Sequence, residues 1–299
     1  SYEPLPPSAF KLADAEGNEL SASEGIRVPA GDFSAKIMVK VGQLNSKDFP
    51  ANKKYAIPLS ITGASNYSLI PSQRSAILLL NRSILSSVAK VSGGEGIRIK
   101  PVGMHTKAEW TIQMSAIYSS LTRSNLTTAY LSNGTGGEFY TRISSTAGIQ
   151  VKNGRDGDDT WTQMPLQAGK WLHITYVHKD KKTTVYVNGK VQKVFENSAI
   201  TFGENSMIVV GNSGYRNDYL REIRLWDKAL TESEINDYLY LPMDPATPHL
   251  ISYLPLSKEM ETKDLKAPAG TENVTTKARI EYVENVKFPA DELVIVNQE

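Results

Sequence analysis

The sequence predicts an all-β chain that consists of two β-sandwiches and one short helix. Segments in which apolar and polar residues alternate recur along the chain, turns rich in Gly, Asn and Asp separate them, and only one segment has helical spacing. Alternation with a period of two is typical of strands, whereas helices repeat about every 3.6 residues. We expect an Ig-like sandwich over residues 1–82, a larger sandwich over 83–243, and a C-terminal β extension over 244–299 that packs on the second domain.

Short strands are predicted in the first domain at 37–41, 55–61 and 75–80. Their length and the polar turns between them are typical of a small antiparallel sandwich, slightly under the ~100 residues of an Ig-like domain. Pro58 falls inside the second of these strands. Because proline cannot donate to a hydrogen-bond ladder, Pro58 predicts an edge or a bulge at this point.

The second domain contains longer and more regular strands. The clearest are 110–118, in which Trp110, Ile112 and Met114 alternate with polar residues, and the pair of strands within 169–190. Bulky residues occupy both faces of 171–178, which predicts a central strand of a covered sheet. Asn188-Gly189 is the pair that most readily forms a tight hairpin turn. Further strands are predicted at 97–102, 128–131, 138–143, 148–152, 191–195, 207–210 and 219–226.

A single helix is predicted over 231–241. Thr231 is a favourable N-cap, Glu234 stands at the reciprocal position of a capping box, and Ile235, Tyr238 and Leu239 form one apolar stripe. Pro242 ends the helix. The C-terminal extension has strand patterns at 250–256, 279–283 and 293–296.

Composition excludes several classes of partner and cofactor. The 299 residues carry 33 basic and 32 acidic side chains, so the net charge is close to zero and does not favour binding to nucleic acid or to an anionic membrane. The absence of cysteine rules out disulfides, thiolate metal sites and cysteine catalysis. No apolar run approaches the roughly 20 residues of a membrane span. Since the sequence begins at Ser1 without Met, we expect that a targeting segment has been removed.

A linear series of motifs runs through the second domain. It consists of a Trp and a His that begin a central strand, a Tyr-Val-Asn-Gly hairpin, a Gly before a loop, an acidic residue in a strand that ends in an aromatic, and Ala-Leu-Thr-x-x-Glu-Ile. The residues are Trp171, His173, 186–189, Gly211, Glu222, Trp226, Ala229, Leu230, Thr231, Glu234 and Ile235. This series resembles the laminin-G-like members of the concanavalin A-like lectin and glucanase superfamily, and 108–112 is similar to the early strand of that family. The resemblance implies a jelly-roll sandwich of two antiparallel sheets.

Three segments near the N-terminus, 2–12, 35–41 and 54–63, carry a second and looser resemblance. They resemble an Ig-like domain of unknown function that often precedes laminin-G-like domains in Bacteroidetes cell-surface lipoproteins. It implies a location at the cell surface, attached to the outer membrane or secreted, with membrane attachment only through a removed N-terminal lipid anchor. Polysaccharides or oligosaccharides are the implied partners, together with other outer-surface proteins of a glycan-utilisation system.

The pattern of acidic residues predicts that the protein is not an enzyme. Glucanases of the resembled fold place carboxylates two residues apart on one strand, so that both project from the same face. That pattern does not occur on a predicted strand here. Glu222 stands alone in its strand between Arg221 and Arg224, which predicts a buried ion-pair partner. The four histidines lack the spacing of a zinc enzyme.

One acidic turn is a candidate calcium site. Asn153, Asp156, Asp158 and Asp159 supply the hard oxygen ligands that calcium takes, and the resemblance implies calcium at a sandwich rim. The alternative is an ordinary turn, because Asn and Asp also stabilise turns through their own backbone. No other cofactor is expected.

Two loops are candidates for glycan binding, which needs an aromatic face and hydroxyl-binding polar groups. The first carries Trp161 with Asp158 and Asp159. The second carries Tyr215, Asn217, Asp218 and Tyr219. Each aromatic could instead pack beneath its own loop. Trp110, Trp171 and Trp226 belong to patterned strands and are expected in the core, and His173 is expected to be scaffold.

The function predicted from these observations is a non-catalytic, cell-surface carbohydrate-binding protein of a glycan-utilisation system. A structural or protein-adhesion module is the first alternative and is expected to expose a large apolar patch. A divergent glycoside hydrolase is the second, and it requires two facing carboxyl groups about 5 to 10 Å apart.

Overall fold

A computed structural model gives the fold as two compact units, Ser1–Arg82 and Ser83–Glu299. It describes residues 2–297 except for 22–24, 43, 46, 52, 95, 103–106, 123–129, 133–138, 153–156, 197–199, 203–205 and 212–214. The architecture is all-β with one α-helix, as the sequence predicts. Within the described ranges, no helix is long and apolar enough to cross a membrane.

The first unit contains two small sheets around a compact core. Its strands are β1 Tyr2–Pro4, β2 Phe10–Ala13, β3 Met38–Val41, β4 Lys54–Ser60 and β5 Ser75–Leu79. One sheet has the order β1-β4-β5 and the other pairs β2 with β3. Leu5, Tyr55 and Ile57 are buried between them. Pro58 lies in the middle strand, beyond the last residue that pairs with β1, so only the ladder to β5 runs past it.

The second unit is a sandwich of two larger sheets. Its elements are β6 Ile84–Gly93, β7 Ile97–Ile99, β8 Trp110–Ile117, β9 Tyr130–Ser132, β10 Phe139–Ser144, β11 Gly148–Lys152, β12 Trp171–Lys179, β13 Lys182–Val187, β14 Lys190–Glu196, β15 Met207–Val210, β16 Tyr215–Trp226, α1 Glu232–Asp237, β17 Leu250–Leu254, β18 Val274–Thr275 and β19 Arg279–Phe288. One sheet has the order β11-β10-β9-β15-β7-β18. The other has the order β14-β13-β12-β8-β16-β6-β19, with β17 also paired to β16.

The main core lies between these two sheets and follows the predicted alternation. Trp110, Ile112 and Met114 of β8 point into it, as do Ile174 and Tyr176 of β12. The opposite, outer face of the eight-stranded sheet is covered as well, because all eight residues of β8 are buried. A second apolar cluster lies there and includes Trp226, Leu230, Ile235 and Tyr253. The covering layer comes from α1 and the segments that flank it.

The C-terminal residues are part of the second sandwich. β18 joins the six-stranded sheet beside β7, while β17 and β19 join the eight-stranded sheet beside β16 and β6. The second compact unit therefore continues past residue 243 to the C-terminus. The sequence pattern did not predict β6, because segment 84–93 does not alternate cleanly between apolar and polar residues. In the structure β6 lies between β16 and β19 and pairs with both.

The helix is shorter than predicted, although its start is correct. The capping box is present, since Thr231 Oγ1 accepts from the Glu234 N–H and the Glu234 carboxylate accepts from the Thr231 N–H. The helix ends at Asp237 with Tyr238 as C-cap. The carbonyls of Tyr238, Tyr240 and Leu241, beyond the helix, accept hydrogen bonds from two buried arginines, Arg221 and Arg224.

Candidate functional site

The outer face of the eight-stranded sheet carries a cluster of buried polar and charged side chains. Residues directly opposite one another on neighbouring strands share a face. His173 of β12 and Arg221 of β16 both stand opposite Ser115 of β8, so these three residues form one row on the outer face. Trp171 and Tyr219 both stand opposite Ile117, which forms the next row.

A buried ionic network occupies the middle of this face. Glu222 accepts hydrogen bonds from Arg224 Nε at 3.2 Å and from the Tyr253 hydroxyl at 3.0 Å, and Arg221 Nη2 lies 3.5 Å from its other oxygen. Arg221 is fully buried, and Glu222 is only 4% exposed. The network confirms the ion-pair role predicted for Glu222. It also ties down the segment after α1, because the Met243 N–H donates to Tyr253 Oη.

The network constrains the chemistry of this face. A general acid or nucleophile must reach the reacting atoms, whereas the Glu222 carboxylate is shielded by two guanidiniums and a phenol. Burial, together with the neighbouring Glu222 carboxylate, raises the pKa of Tyr253, so its hydroxyl stays protonated and donates. Removing one partner of such a buried pair typically costs about 3–5 kcal/mol. Glu222 is therefore a structural group.

Ser115 and His173 form a serine–histidine pair on the same face. Ser115 Oγ lies 2.7 Å from His173 Nδ1. Burial, with repulsion from Arg221 and Arg224, lowers the pKa of His173 to about 3. A histidine with so low a pKa is a weak base near neutral pH, so it does not activate the serine as a nucleophile. The hairpin also holds His173, since its N–H donates to Asn188 Oδ1.

Trp161 contradicts the expectation of an exposed aromatic on the first loop. It is 4% exposed and forms an antiparallel bridge with Gln150, which extends the edge of the six-stranded sheet. Its carbonyl accepts a hydrogen bond from Lys193 Nζ. The prediction that the Trp161 ring stacks against a sugar is wrong, because edge pairing draws the residue into the structure. Trp110, Trp171 and Trp226 are buried as predicted.

The acidic turn beside Trp161 is exposed, but its backbone carbonyls already accept hydrogen bonds from other residues. Asp158 and Asp159 are exposed within a single 3-10 turn. The Asp158 carbonyl accepts from Gln163 Nε2 and the Asp159 carbonyl from Lys193 Nζ. Calcium takes six to eight oxygens, so the described part of this turn does not make a calcium site by itself. The other two predicted ligands, Asn153 and Asp156, lie outside the described residues.

The second predicted loop divides into buried and accessible residues. Asp218 is fully buried and accepts from the Ser119 N–H and hydroxyl at 2.8 and 3.0 Å, so its predicted glycan contact is wrong. Asn217 is exposed and has a positive φ of 63° at a bulge. Tyr219 is half-buried on the outer face. Tyr215 belongs to β16, and its side chain lies outside the described part of the chain.

The two predicted loops do not combine into one site. Lys193 holds the Asp158–Trp161 turn beside β14, whereas Asn217 and Tyr219 lie in β16. β14 and β16 are four strand spacings apart in the sheet order. At ~4.8 Å per spacing this separation is roughly 19 Å, which is too far for one sugar residue to bridge.

An accessible row remains on the outer face around Tyr219. Tyr219 stands opposite Lys90 of β6, and Lys90 stands opposite Glu281 of β19. Lys90 Nζ lies 3.9 Å from Glu281, which also pairs with the exposed Arg279 at 2.9 Å. We name Asn217, Tyr219, Lys90 and Glu281 the Tyr219 row. Lys90 and Glu281 could not be found from the sequence, because they join Tyr219 only through strand pairing.

The comparison with protein families decides the nature of the second unit. A model described as the concanavalin A-like lectin/glucanases superfamily, of the laminin G type, matches residues 92–236. Residues 92–236 are a concanavalin A-like domain. The match confirms the predicted resemblance. The strands β17, β18 and β19 lie beyond the matched range and complete the sandwich. A second model, of an N-terminal domain from a Bacteroides family, matches residues 1–68.

Solved structures similar to the chain include a Bacteroides ovatus protein named as a candidate carbohydrate binding protein. It is 18% identical with a TM-score of 0.56, covering 97% of this chain and 82% of that one. A heptameric SAP-like pentraxin from Limulus polyphemus has 12% identity, TM-score 0.44 and coverage of 67% and 94%. Domain 4 of a Geobacillus stearothermophilus GH43 arabinanase, bound to arabinotriose, has 14% identity, TM-score 0.37 and coverage of 61% and 86%. No curated protein matches the chain.

Proposed function

We propose that the protein binds carbohydrate and does not cleave it. The observation that carries the proposal is the use of Glu222, the carboxylate central to the outer sheet face of a concanavalin A-like domain, as a buried ion-pair partner. The similarity to a Bacteroides ovatus protein named as a candidate carbohydrate binding protein supports the same class of ligand.

The Tyr219 row is the surface that we propose for glycan contact. Tyr219 offers part of an aromatic ring to the C–H face of a pyranose. Asn217, Lys90 and Glu281 place an amide, an ammonium and a carboxylate nearby, and these groups hydrogen-bond sugar hydroxyls. The separate turn with Asp158 and Asp159 is not required.

Calorimetric titration against a panel of plant, host and microbial polysaccharides tests this function. Saturable binding to at least one of them is expected. Tyr219→Ala should weaken that binding about tenfold, or ~1.4 kcal/mol. Tyr67→Ala is the matched control, because it removes an 84% exposed tyrosine from the first unit. Binding to none of the glycans would contradict the function, whereas full affinity in Tyr219→Ala would contradict only the site.

Catalysis is tested on the same panel by measuring new reducing ends. We expect none above a heat-treated sample. Cleavage by the wild-type protein would overturn the non-catalytic proposal in favour of a divergent glycoside hydrolase. Cleavage that persists in Glu222→Gln would assign it to other carboxylates, whereas cleavage lost in a Glu222→Gln sample that circular dichroism shows to be folded would make Glu222 catalytic.

The biological setting that we propose is the cell surface, within a glycan-utilisation system. The N-terminal match to a Bacteroides family supports this setting. Attachment through a lipid at a preceding segment and contact with other outer-surface proteins are part of the proposal. Fractionation of cells with protease treatment tests it, because a surface protein is digested while the cells remain intact. Titration with EDTA and then with calcium tests for calcium dependence.

Protein adhesion is a second candidate, favoured by the edge strand β5 of the first unit. All five of its residues are exposed, and Ile77 and Leu79 are 68% and 58% exposed. An uncharged apolar edge strand is a template for pairing with another strand. Sedimentation should show self-association that Ile77→Lys abolishes and that Val191→Lys, on the exposed part of β14, does not. A monomer at all concentrations would contradict this candidate.

A further inference from the structure

The Phe288 side chain fills a ring-sized space on the outer face of the eight-stranded sheet. Phe288 is the last residue of β19 and is fully buried. Its ring centroid lies 5.0 Å from that of Trp171 and 6.5 Å from that of His173. The Arg221 guanidinium carbon lies 4.1 Å from it. Phe288 therefore contacts two aromatic rings and a cation.

Two hydrogen-bond donors around this space lack an acceptor. Trp171 Nε1 and Arg221 Nε are buried and have no partner among the residues that the structure describes. Buried donors in proteins are nearly always paired with protein, water or ligand atoms. His173 already uses Nδ1 for Ser115. The surroundings of Phe288 thus offer donors that an oxygen-rich ligand would satisfy.

The net charge of the residues around Phe288 indicates the charge that the ligand should carry. Arg221 and Arg224 share the single carboxylate of Glu222, which leaves one excess positive charge in a buried cluster. Buried charges are normally balanced, and a guanidinium binds a carboxylate with two parallel hydrogen bonds. A carboxylate is the group that complements this cluster.

The segment after Phe288 turns back along the end of β19, where Ile295 forms a bridge with Val286, and it is held by backbone hydrogen bonds and one exposed ion pair. We name residues 289–297 the C-terminal strap. The Asp291 carbonyl accepts from the Trp171 N–H at 2.8 Å, Glu292 pairs with Lys170, and the Val294 carbonyl accepts from the Lys287 N–H. Every residue of the strap is exposed or half-buried. Segments with few buried apolar contacts open locally at low cost, and exposed ion pairs add little.

We propose that Trp171, His173 and Arg221 form a binding pocket for a ring that bears a carboxylate, and that Phe288 closes the pocket when the end of β19 is paired with β6 and the strap is docked. The Trp171 ring would stack on the ligand ring, and Arg221 would bind the carboxylate. A uronic acid combines these two features. The pocket deepens the proposed carbohydrate binding by naming acidic sugars as its ligands, and it uses none of the residues of the Tyr219 row.

The test titrates sodium glucuronate into isotope-labelled protein and follows the Trp171 Nε1–H resonance, which Trp171→Phe assigns by its loss. Glucose and sodium chloride at matched concentrations are the controls. A saturable shift is expected with glucuronate alone. Phe288→Ala should bind at least about tenfold more tightly than the wild type, because the apparent affinity is reduced by the fraction of molecules that are open. Phe288→Leu serves if the alanine variant does not fold.

A second pair of variants separates the pocket from general charge attraction. Arg221→Met should abolish the shift, whereas Lys179→Met, which removes a surface cation of β12 that pairs with Glu109 and not with the strap, should leave it unchanged. The proposal is overturned if a folded Phe288 variant shows no shift with glucuronate, if glucose or chloride shifts the resonance equally, or if Arg221→Met retains the affinity. Such results would leave binding at the Tyr219 row unaffected, because Tyr219→Ala tests that surface separately.

Discussion

Glu222 accepts a hydrogen bond from Arg224 Nε at 3.2 Å, and both side chains are buried. The pair lies under the segment that follows α1, and Arg224 is one of the residues that attach that segment to the sheet. The carboxylate that stabilises this segment is therefore the same group that a catalytic role for Glu222 would require.

Glu222→Gln should destabilise the second unit by about 3–5 kcal/mol, because two buried guanidiniums then lack a counter-charge. Denaturant unfolding followed by tryptophan fluorescence measures this loss. All four tryptophans, Trp110, Trp161, Trp171 and Trp226, lie in the second unit, so the signal reports on that unit alone. Glu284→Gln is the control, since its pair with Lys258 is exposed and should contribute only about 0–1 kcal/mol. Equal losses in the two variants would contradict the role of burial.

Two glycines with nearly the same φ test the hairpin that ends β13. Gly189 has φ 75° and Gly169 has φ 76°, but a Cβ at Gly189 would meet Asn236 Oδ1 at 2.0 Å, whereas nothing lies within 4 Å at Gly169. Asn236 also donates to the Gly189 carbonyl. Gly169→Ala should cost about 1–2 kcal/mol for its backbone alone. Gly189→Ala should cost roughly 1 kcal/mol more, because the Asn236 contacts are lost. Thermal or denaturant unfolding of both variants gives the difference, and equal costs would contradict the Asn236 contact.

Acidification should destabilise the second unit through His178. The Ile200 N–H donates to His178 Nε2 at 3.2 Å, so the neutral ring carries its proton on Nδ1, next to Thr183 Oγ1. Burial lowers the pKa of His178 from 6.5 to about 4. The folded state therefore binds the proton less readily, and stability is full above pH 6.5 and falls as the pH drops toward 4.

The expected loss from His178 over that window is roughly 3 kcal/mol, since each pKa unit corresponds to ~1.36 kcal/mol. Unfolding free energies at several pH values measure it. His178→Gln should flatten the dependence, and His249→Gln, at a 59% exposed imidazole, should not. An unchanged slope in His178→Gln would assign the acid sensitivity to other groups, of which His173 is the first to test.

The capping box of α1 should make a measurable contribution despite the length of the helix. Thr231→Ala removes the acceptor for the Glu234 N–H and should cost about 1 kcal/mol. Thr231→Ser keeps the hydroxyl and should stay within a few tenths of the wild type. Denaturant midpoints of the two variants provide the comparison. An alanine variant as stable as the serine variant would show that packing of Ile235 alone holds the helix.

Local patterns predicted the elements that depend on neighbours along the chain. The alternation in 171–178 predicted a central strand, and Asn188-Gly189 predicted a hairpin whose two residues indeed have positive φ. The same reasoning failed at Trp161, whose loop position favoured exposure, because a bridge to Gln150 draws it inward. It also placed the end of α1 too late, because the backbone of Tyr238 leaves the helical conformation at φ −126°.

The all-β class, the central hairpin and the family resemblance follow from local sequence, because they depend on a residue spacing of two, on turn residues and on a linear motif. Which side chains meet depends on how the strands pair. Strand pairing brings Lys90 and Glu281 beside Tyr219, and the return of the chain at Phe288 fills the space between Trp171 and Arg221. Contacts between residues far apart in sequence depend on sheet order and register, and no local pattern encodes them.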